Sequence, residues 1–204
     1  MNTLIKRAMV VAGITTAMAL PLATQASDGT ITFTGGVTAN TCTVKVNGAG
    51  TGDGTVTLPT VSTSALTNAG QKTTAAGTFF YLQVSACSLV ATDLVGNTAP
   101  TSVKVYFEAG PNVNPLTGGL INTVVAASNG SNVEVNLYNA SSAGQANIVT
   151  TQILPGTLPN SVHMIDLHAG GSEYFYAGYS TAGAGIAATA GLVSTSVTYS
   201  LIYQ

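Results

Sequence analysis

Apolar and polar residues alternate in two segments, one after residue 28 and one near the C-terminus. Near the C-terminus Val197, Tyr199, Leu201 and Tyr203 occupy every second position, and residues 29–34 alternate in the same way with threonines between them. A period of two places alternate side chains on one face of a β-strand. Both segments are therefore predicted to be strands, each with one apolar face.

The sequence between these segments consists of short β-rich runs separated by glycine, asparagine, proline and serine. No helical periodicity extends beyond a turn or two after residue 26. Turn-forming residues that bound short alternating runs are typical of strands. The pattern predicts eight strands, at residues 30–46, 77–85, 102–109, 120–125, 132–138, 162–168, 173–180 and 192–203. Seven or eight strands without a linker indicate a single immunoglobulin-like β-sandwich.

The first 26 residues have the organisation of a secretory signal peptide. Lys6 and Arg7 precede an apolar stretch at residues 8–20, and small residues end at Ala26. This arrangement predicts cleavage after Ala26, although a buried helix or a retained anchor would share the apolar stretch. The remaining residues, 27–204, are sufficient for one domain with a sizeable core.

Charged residues are sparse in the rest of the chain. Beyond residue 26 there are three lysines and no arginine, against seven acidic residues. The absence of a basic cluster argues against nucleic acid as a partner. A surface rich in Thr, Ser, Asn, Ala and Gly is unusual for a freely soluble monomer, and it suits a subunit packed in an assembly.

Two cysteines, Cys42 and Cys87, follow the predicted signal peptide. In an exported chain, two cysteines most simply form one disulfide. The alternative is a metal-binding or redox pair, but the two residues are not arranged as C-x-x-C. The sequence therefore favours a structural disulfide.

Candidate catalytic or cofactor-binding residues are few. His163 and His168 lie near Asp166, but positions 163 and 168 of one strand point to opposite faces, so the two rings cannot easily share a metal ion or a proton. The glycine-rich segment at residues 47–54 lacks the lysine of a P-loop and is predicted to be a loop. We predict no enzymatic activity, no cofactor and no metal.

Several segments, taken in order, resemble the structural pilins of the chaperone–usher pathway, close to the type 1 fimbrial major subunits. Tyr203 is the penultimate residue and Gly191 is the fourteenth from the end, which is the spacing of that family. The matching segments are residues 29–37, 41–42, 80–87, 133–138, 174–179 and 191–204.

The resemblance implies an immunoglobulin-like fold that lacks its last strand. The gap would be a hydrophobic groove beside the C-terminal strand, filled by donor-strand exchange. The implied partners are a periplasmic pilus chaperone, an outer-membrane usher and other pilin subunits. The implied location is a fimbrium on the bacterial surface, reached through the periplasm.

The resemblance also assigns roles to residues at both ends of the chain. Residues 27–37 would be the donor segment that runs into the first strand, and residues 38–204 would be the pilin domain. The donor side chains would be Gly29, Ile31 and Phe33. The chaperone-binding and acceptor edge would comprise Gly191, Val197, Tyr199, Leu201 and Tyr203.

Three alternatives remain open at this stage. Residues 30–37 could simply belong to the first strand of the sandwich. The chain could be a fimbrial adhesin that binds a host or surface receptor, although such adhesins usually carry an extra N-terminal lectin domain. It could also be a minor adaptor pilin, which the sequence cannot distinguish from a major subunit.

Overall fold

The computed structural model describes residues 32, 41–50, 52–66, 77–88, 100–142, 148–158, 163–183 and 185–204. From Thr41 onward these residues belong to one compact unit, which spans Gly36–Gln204. No helix in the described ranges is long and apolar enough to cross a membrane.

The described residues form nine strands and two short 3-10 turns. The strands are β1 (Thr41–Val46), β2 (Gly77–Ser88), β3 (Ser102–Phe107), β4 (Leu120–Ile121), β5 (Val133–Ala140), β6 (Ile148–Ile153), β7 (Ile165–Asp166), β8 (Gly171–Thr181) and β9 (Tyr199–Tyr203). The larger sheet has the order β1-β2-β8-β5-β4, with β6 also paired to β5. The smaller sheet has the order β7-β3-β9, and all strand pairs are antiparallel.

Apolar residues at alternate positions of both sheets form the core. In the larger sheet Phe80 stacks on Phe175 across the β2–β8 pair. Phe107 of the smaller sheet meets the edge of the Phe175 ring, with 5.0 Å between the ring centroids. These three rings are buried and join the two sheets. The predicted all-β sandwich is confirmed.

A disulfide between Cys42 and Cys87 joins β1 to β2 near one end of their ladder. The two cysteines are 45 residues apart in the sequence. In the chain-entropy description, closing a loop of that length stabilises the fold by about 4 kcal/mol. The prediction from cysteine count and export is therefore confirmed, and β1 is covalently tied to its neighbour.

One strand was missed, and three predicted strands are much shorter than expected. Strand β6 was missed because its sequence, Ile-Val-Thr-Thr-Gln-Ile, has no clear alternation. The strands predicted at 120–125 and 162–168 are reduced to the two-residue strands β4 and β7. The strand predicted at 192–203 begins only at Tyr199.

The late start of β9 has a physical cause in its partner strand. Tyr199 pairs with Phe107, where β3 ends, so the ladder has no partner strand beyond that point. Residues 192–198 instead form backbone hydrogen bonds without a regular ladder. For example, the Thr123 amide donates to the Ser194 carbonyl, and the Glu108 amide donates to the Thr198 carbonyl.

Candidate functional site: a groove between two sheet edges

Strands β1 and β9 each have one edge without a ladder partner among the described residues. β1 pairs only with β2, and β9 pairs only with β3. A strand edge presents a row of unpaired N–H and C=O groups that can pair with another chain. The two edges belong to different sheets and flank the same groove.

The groove between these edges has a volume of about 590 Å³. Cys42 and Val44 of β1 form one side, and residues 197–201 form the other. Gly52 and Asp53, from the glycine-rich loop after β1, also line it. The cavity is large enough to take several side chains.

The groove is lined by both polar and apolar groups, and its apolar side chains are only partly buried. Val44, Val197, Tyr199 and Leu201 pack against the main core cluster, yet each retains solvent exposure. Burying apolar surface stabilises by roughly 25 cal/mol per Å². A segment that covered these side chains would therefore stabilise the folded protein.

Three of the four β9-side residues predicted for the acceptor edge, Val197, Tyr199 and Leu201, line the groove. Tyr203 lies on the same face of β9 but packs on a second cluster, around Val84 and Val103. The roles assigned to these residues remain predictions, whereas their shared apolar face is a property of the structure.

Gly191 lies outside β9, against the turn at residues 129–131. A Cβ at this position would lie 2.5 Å from the Ser131 nitrogen and 2.7 Å from the Asn129 carbonyl oxygen. The neighbouring Leu192 amide donates to that same carbonyl. Close backbone packing therefore accounts for glycine here, and a part in chaperone recognition stays a prediction.

The predicted donor residues Gly29, Ile31 and Phe33 lie outside the described residues. Sequence reasoning did not place Cys42, Val44, Gly52 or Asp53 in the site. The alternation of Cys42, Val44 and Val46 could have indicated the apolar face of β1. No local pattern could have placed Gly52 and Asp53 beside β9.

A second, smaller cavity of about 210 Å³ contains one of the two histidines. His163 Nδ1 lies 3.2 Å from a carboxylate oxygen of Glu173, which is 2 % exposed. His168 lies instead beside the exposed carboxylate of Asp166, 3.7 Å away. The two rings therefore have different partners, but neither histidine lies on a strand, so the predicted alternation of strand faces is not the reason. The described residues contain no group of three or more His, Cys, Asp or Glu placed to hold a metal ion.

Burial raises the pKa of Glu173, and the nearby His163 and Lys104 partly oppose this effect. The folded state therefore binds the Glu173 proton more tightly than the unfolded chain does. The resulting stabilisation is complete below the ordinary carboxyl pKa and is lost as pH rises through the raised value. The Asp166 pKa is lowered, chiefly by hydrogen bonds from the Ala169 and His168 amides. The contribution of Asp166 to stability therefore changes with pH in the opposite direction.

We expect Glu173→Gln to gain stability relative to the natural chain as pH rises from about 4 to 7, because glutamine keeps the shape without the buried charge. Urea unfolding of residues 27–204 at several pH values measures the difference. Asp166 is present in both proteins, so its contribution cancels. A difference that does not change with pH would contradict the assignment.

Comparison with known proteins agrees with this architecture. The profile of the family described as "Type-1 fimbrial protein, A" matches residues 58–204. The chain belongs to this family. It is 38% identical over 194 residues to the major fimbrial subunit SMF-1 of Stenotrophomonas maltophilia, covering 91% of this chain and 98% of that protein.

A second relative and a solved structure extend the comparison. The F17 fimbrial protein of Escherichia coli is 34% identical over 182 residues, covering 89% of this chain and 91% of that protein. A subunit from a solved chaperone–usher pilus superposes with a TM-score of 0.51 at 19% identity, over 87% of this chain and 96% of that one. The chain is thus a structural pilin with the fold of a pilus subunit.

Proposed function

We propose that the groove between β1 and β9 accepts a β-strand from another copy of this pilin, and that this donor-strand exchange builds a fimbrium. The observation that carries the proposal is the pair of open sheet edges beside half-buried apolar side chains. An inserted strand would hydrogen-bond to an edge and cover those side chains. Strand complementation of pilins is itself an established example of such β-augmentation.

Residues 27–37 of the neighbouring subunit are the proposed donor. Ile31 and Phe33 would enter the groove, and Gly29 would lie where a side chain does not fit. Thr30, Thr32 and Thr34 would face outward. Because side chains alternate along a strand, a shift of one residue would present threonines to the apolar side chains of the groove, so these side chains would fix the register.

The same open edges create a need for partners before assembly. Unpaired edges and exposed apolar surface favour aggregation. We therefore propose that a periplasmic chaperone covers the groove during export and that an outer-membrane usher receives the subunit. The predicted signal peptide supports this route.

Antibody labelling of sheared surface fibres tests the function. We expect a structural subunit to be labelled along the whole fibre, and unheated fibres to migrate as a high-mass ladder in detergent gels. Label confined to the fibre tip would instead indicate an adaptor or adhesin. A chain recovered only as a free monomer in the medium would contradict the proposal.

A further inference from the structure

A hydrogen bond crosses the groove from β9 to the loop that follows β1. The Tyr199 hydroxyl donates to the Gly52 carbonyl oxygen over 2.6 Å. Both residues, together with Asp53, line the groove. The two residues are 147 positions apart in the sequence. Their hydrogen bond connects the two sides of the groove that an inserted strand would have to separate.

The loop that carries Gly52 is anchored at both of its ends. Asn47 donates its backbone amide to the Tyr81 carbonyl and accepts the Tyr81 amide at its side-chain oxygen, each over 2.9 Å. At the other end Gly54 packs directly on the Val46 side chain. Between these anchors Gly50 has open space around it, whereas Gly52 lies against the Tyr199 hydroxyl.

We infer that Tyr199, Gly52 and Asp53 form a strap that partly closes the unoccupied groove and has to release for a strand to insert. The inference rests on the proposed function, and it concerns the rate of strand entry. Because one hydrogen bond and a short loop hold the strap, it slows insertion without preventing it.

The chemistry of the contact suits a persistent strap. Burial, with a contribution from Asp53, raises the pKa of Tyr199, so the hydroxyl keeps its proton and remains a donor at physiological pH. The tyrosine ring packs on the core and lines the β9 side of the groove. Replacing tyrosine with phenylalanine therefore removes the strap hydrogen bond and keeps the apolar ring.

Two independent variants, each with a matched control, test the strap. Tyr199→Phe removes the donor, and Tyr106→Phe makes the same change on β3 at a residue that does not line the groove. Gly52→Ala adds a methyl group 3.1 Å from the Tyr199 oxygen, and Gly50→Ala adds one in open space. The protein used is residues 27–204 with its disulfide intact. Its assembly is measured by the growth over time of the high-mass ladder that unheated samples give in detergent gels.

We expect Tyr199→Phe and Gly52→Ala to assemble about fivefold faster than the natural chain, the factor that one hydrogen bond of ordinary net strength provides. The two controls should match the natural chain. Equal assembly rates for all proteins, or slower assembly of Tyr199→Phe, would contradict the strap but not strand exchange. Failure of every protein to assemble would overturn the proposed function and the strap together.

Discussion

Replacing Phe33 with aspartate is expected to abolish fibre formation. In the proposed complex the Phe33 ring covers the half-buried side chains of Val197, Tyr199 and Leu201. A carboxylate at that position would lie against those apolar side chains, and the described lining, which includes Asp53, offers it no positive charge. Burying an unpaired charge costs several kcal/mol, which lowers assembly by at least ~100-fold.

Two variants control for the added charge and for the loss of the ring. Thr32→Asp places the same charge at a neighbouring, exposed position that should face outward, and fibres should still form. Phe33→Leu keeps an apolar side chain and should assemble more weakly. Electron microscopy and gel analysis of sheared material measure the yield. Normal fibres from cells that produce only Phe33→Asp would rule out Phe33 as a donor side chain.

The apolar face of the C-terminal strand could be predicted from the sequence alone. Strict alternation from Val197 to Tyr203 requires only the two-residue period of a strand, which is a local property. The structure places these residues on one face, with three of them in the groove. The length of β9 could not be predicted in this way, because it depends on where β3 ends, about 90 residues earlier in the chain.

The groove itself could not be derived from local patterns. It exists because β1 and β9 become edges of different sheets, and strand order depends on contacts that are distant in sequence. The Tyr199–Gly52 hydrogen bond and the His163–Glu173 pair arise in the same way. The missed strand β6 has a different cause, since its pairing with β5 compensates for a sequence with weak alternation.

Joining a second copy of residues 27–37 to the C-terminus through a flexible linker is expected to produce a stable monomer. The linker holds the donor segment near the groove at a millimolar effective concentration, which favours closure within one chain. Burial of the Ile31 and Phe33 copies should contribute about 1.5–3 kcal/mol each. New backbone hydrogen bonds along the open edges should add to this.

A linked copy that carries the Phe33→Asp change is the matched control. It has the same linker and the same length, but it should fill the groove poorly. Comparison of the two linked proteins therefore isolates the contribution of the donor side chain from any effect of the linker.

Denaturant unfolding of residues 27–204, with and without the linked donor copy, tests most directly whether this pilin is an incomplete sandwich. We predict that the linked protein is monomeric and that its unfolding free energy exceeds that of the unlinked chain by at least ~5 kcal/mol, while the linked Phe33→Asp control gains little. An unlinked chain that is already monomeric, monodisperse and as stable as the linked protein would show that the sandwich is complete without a donor strand.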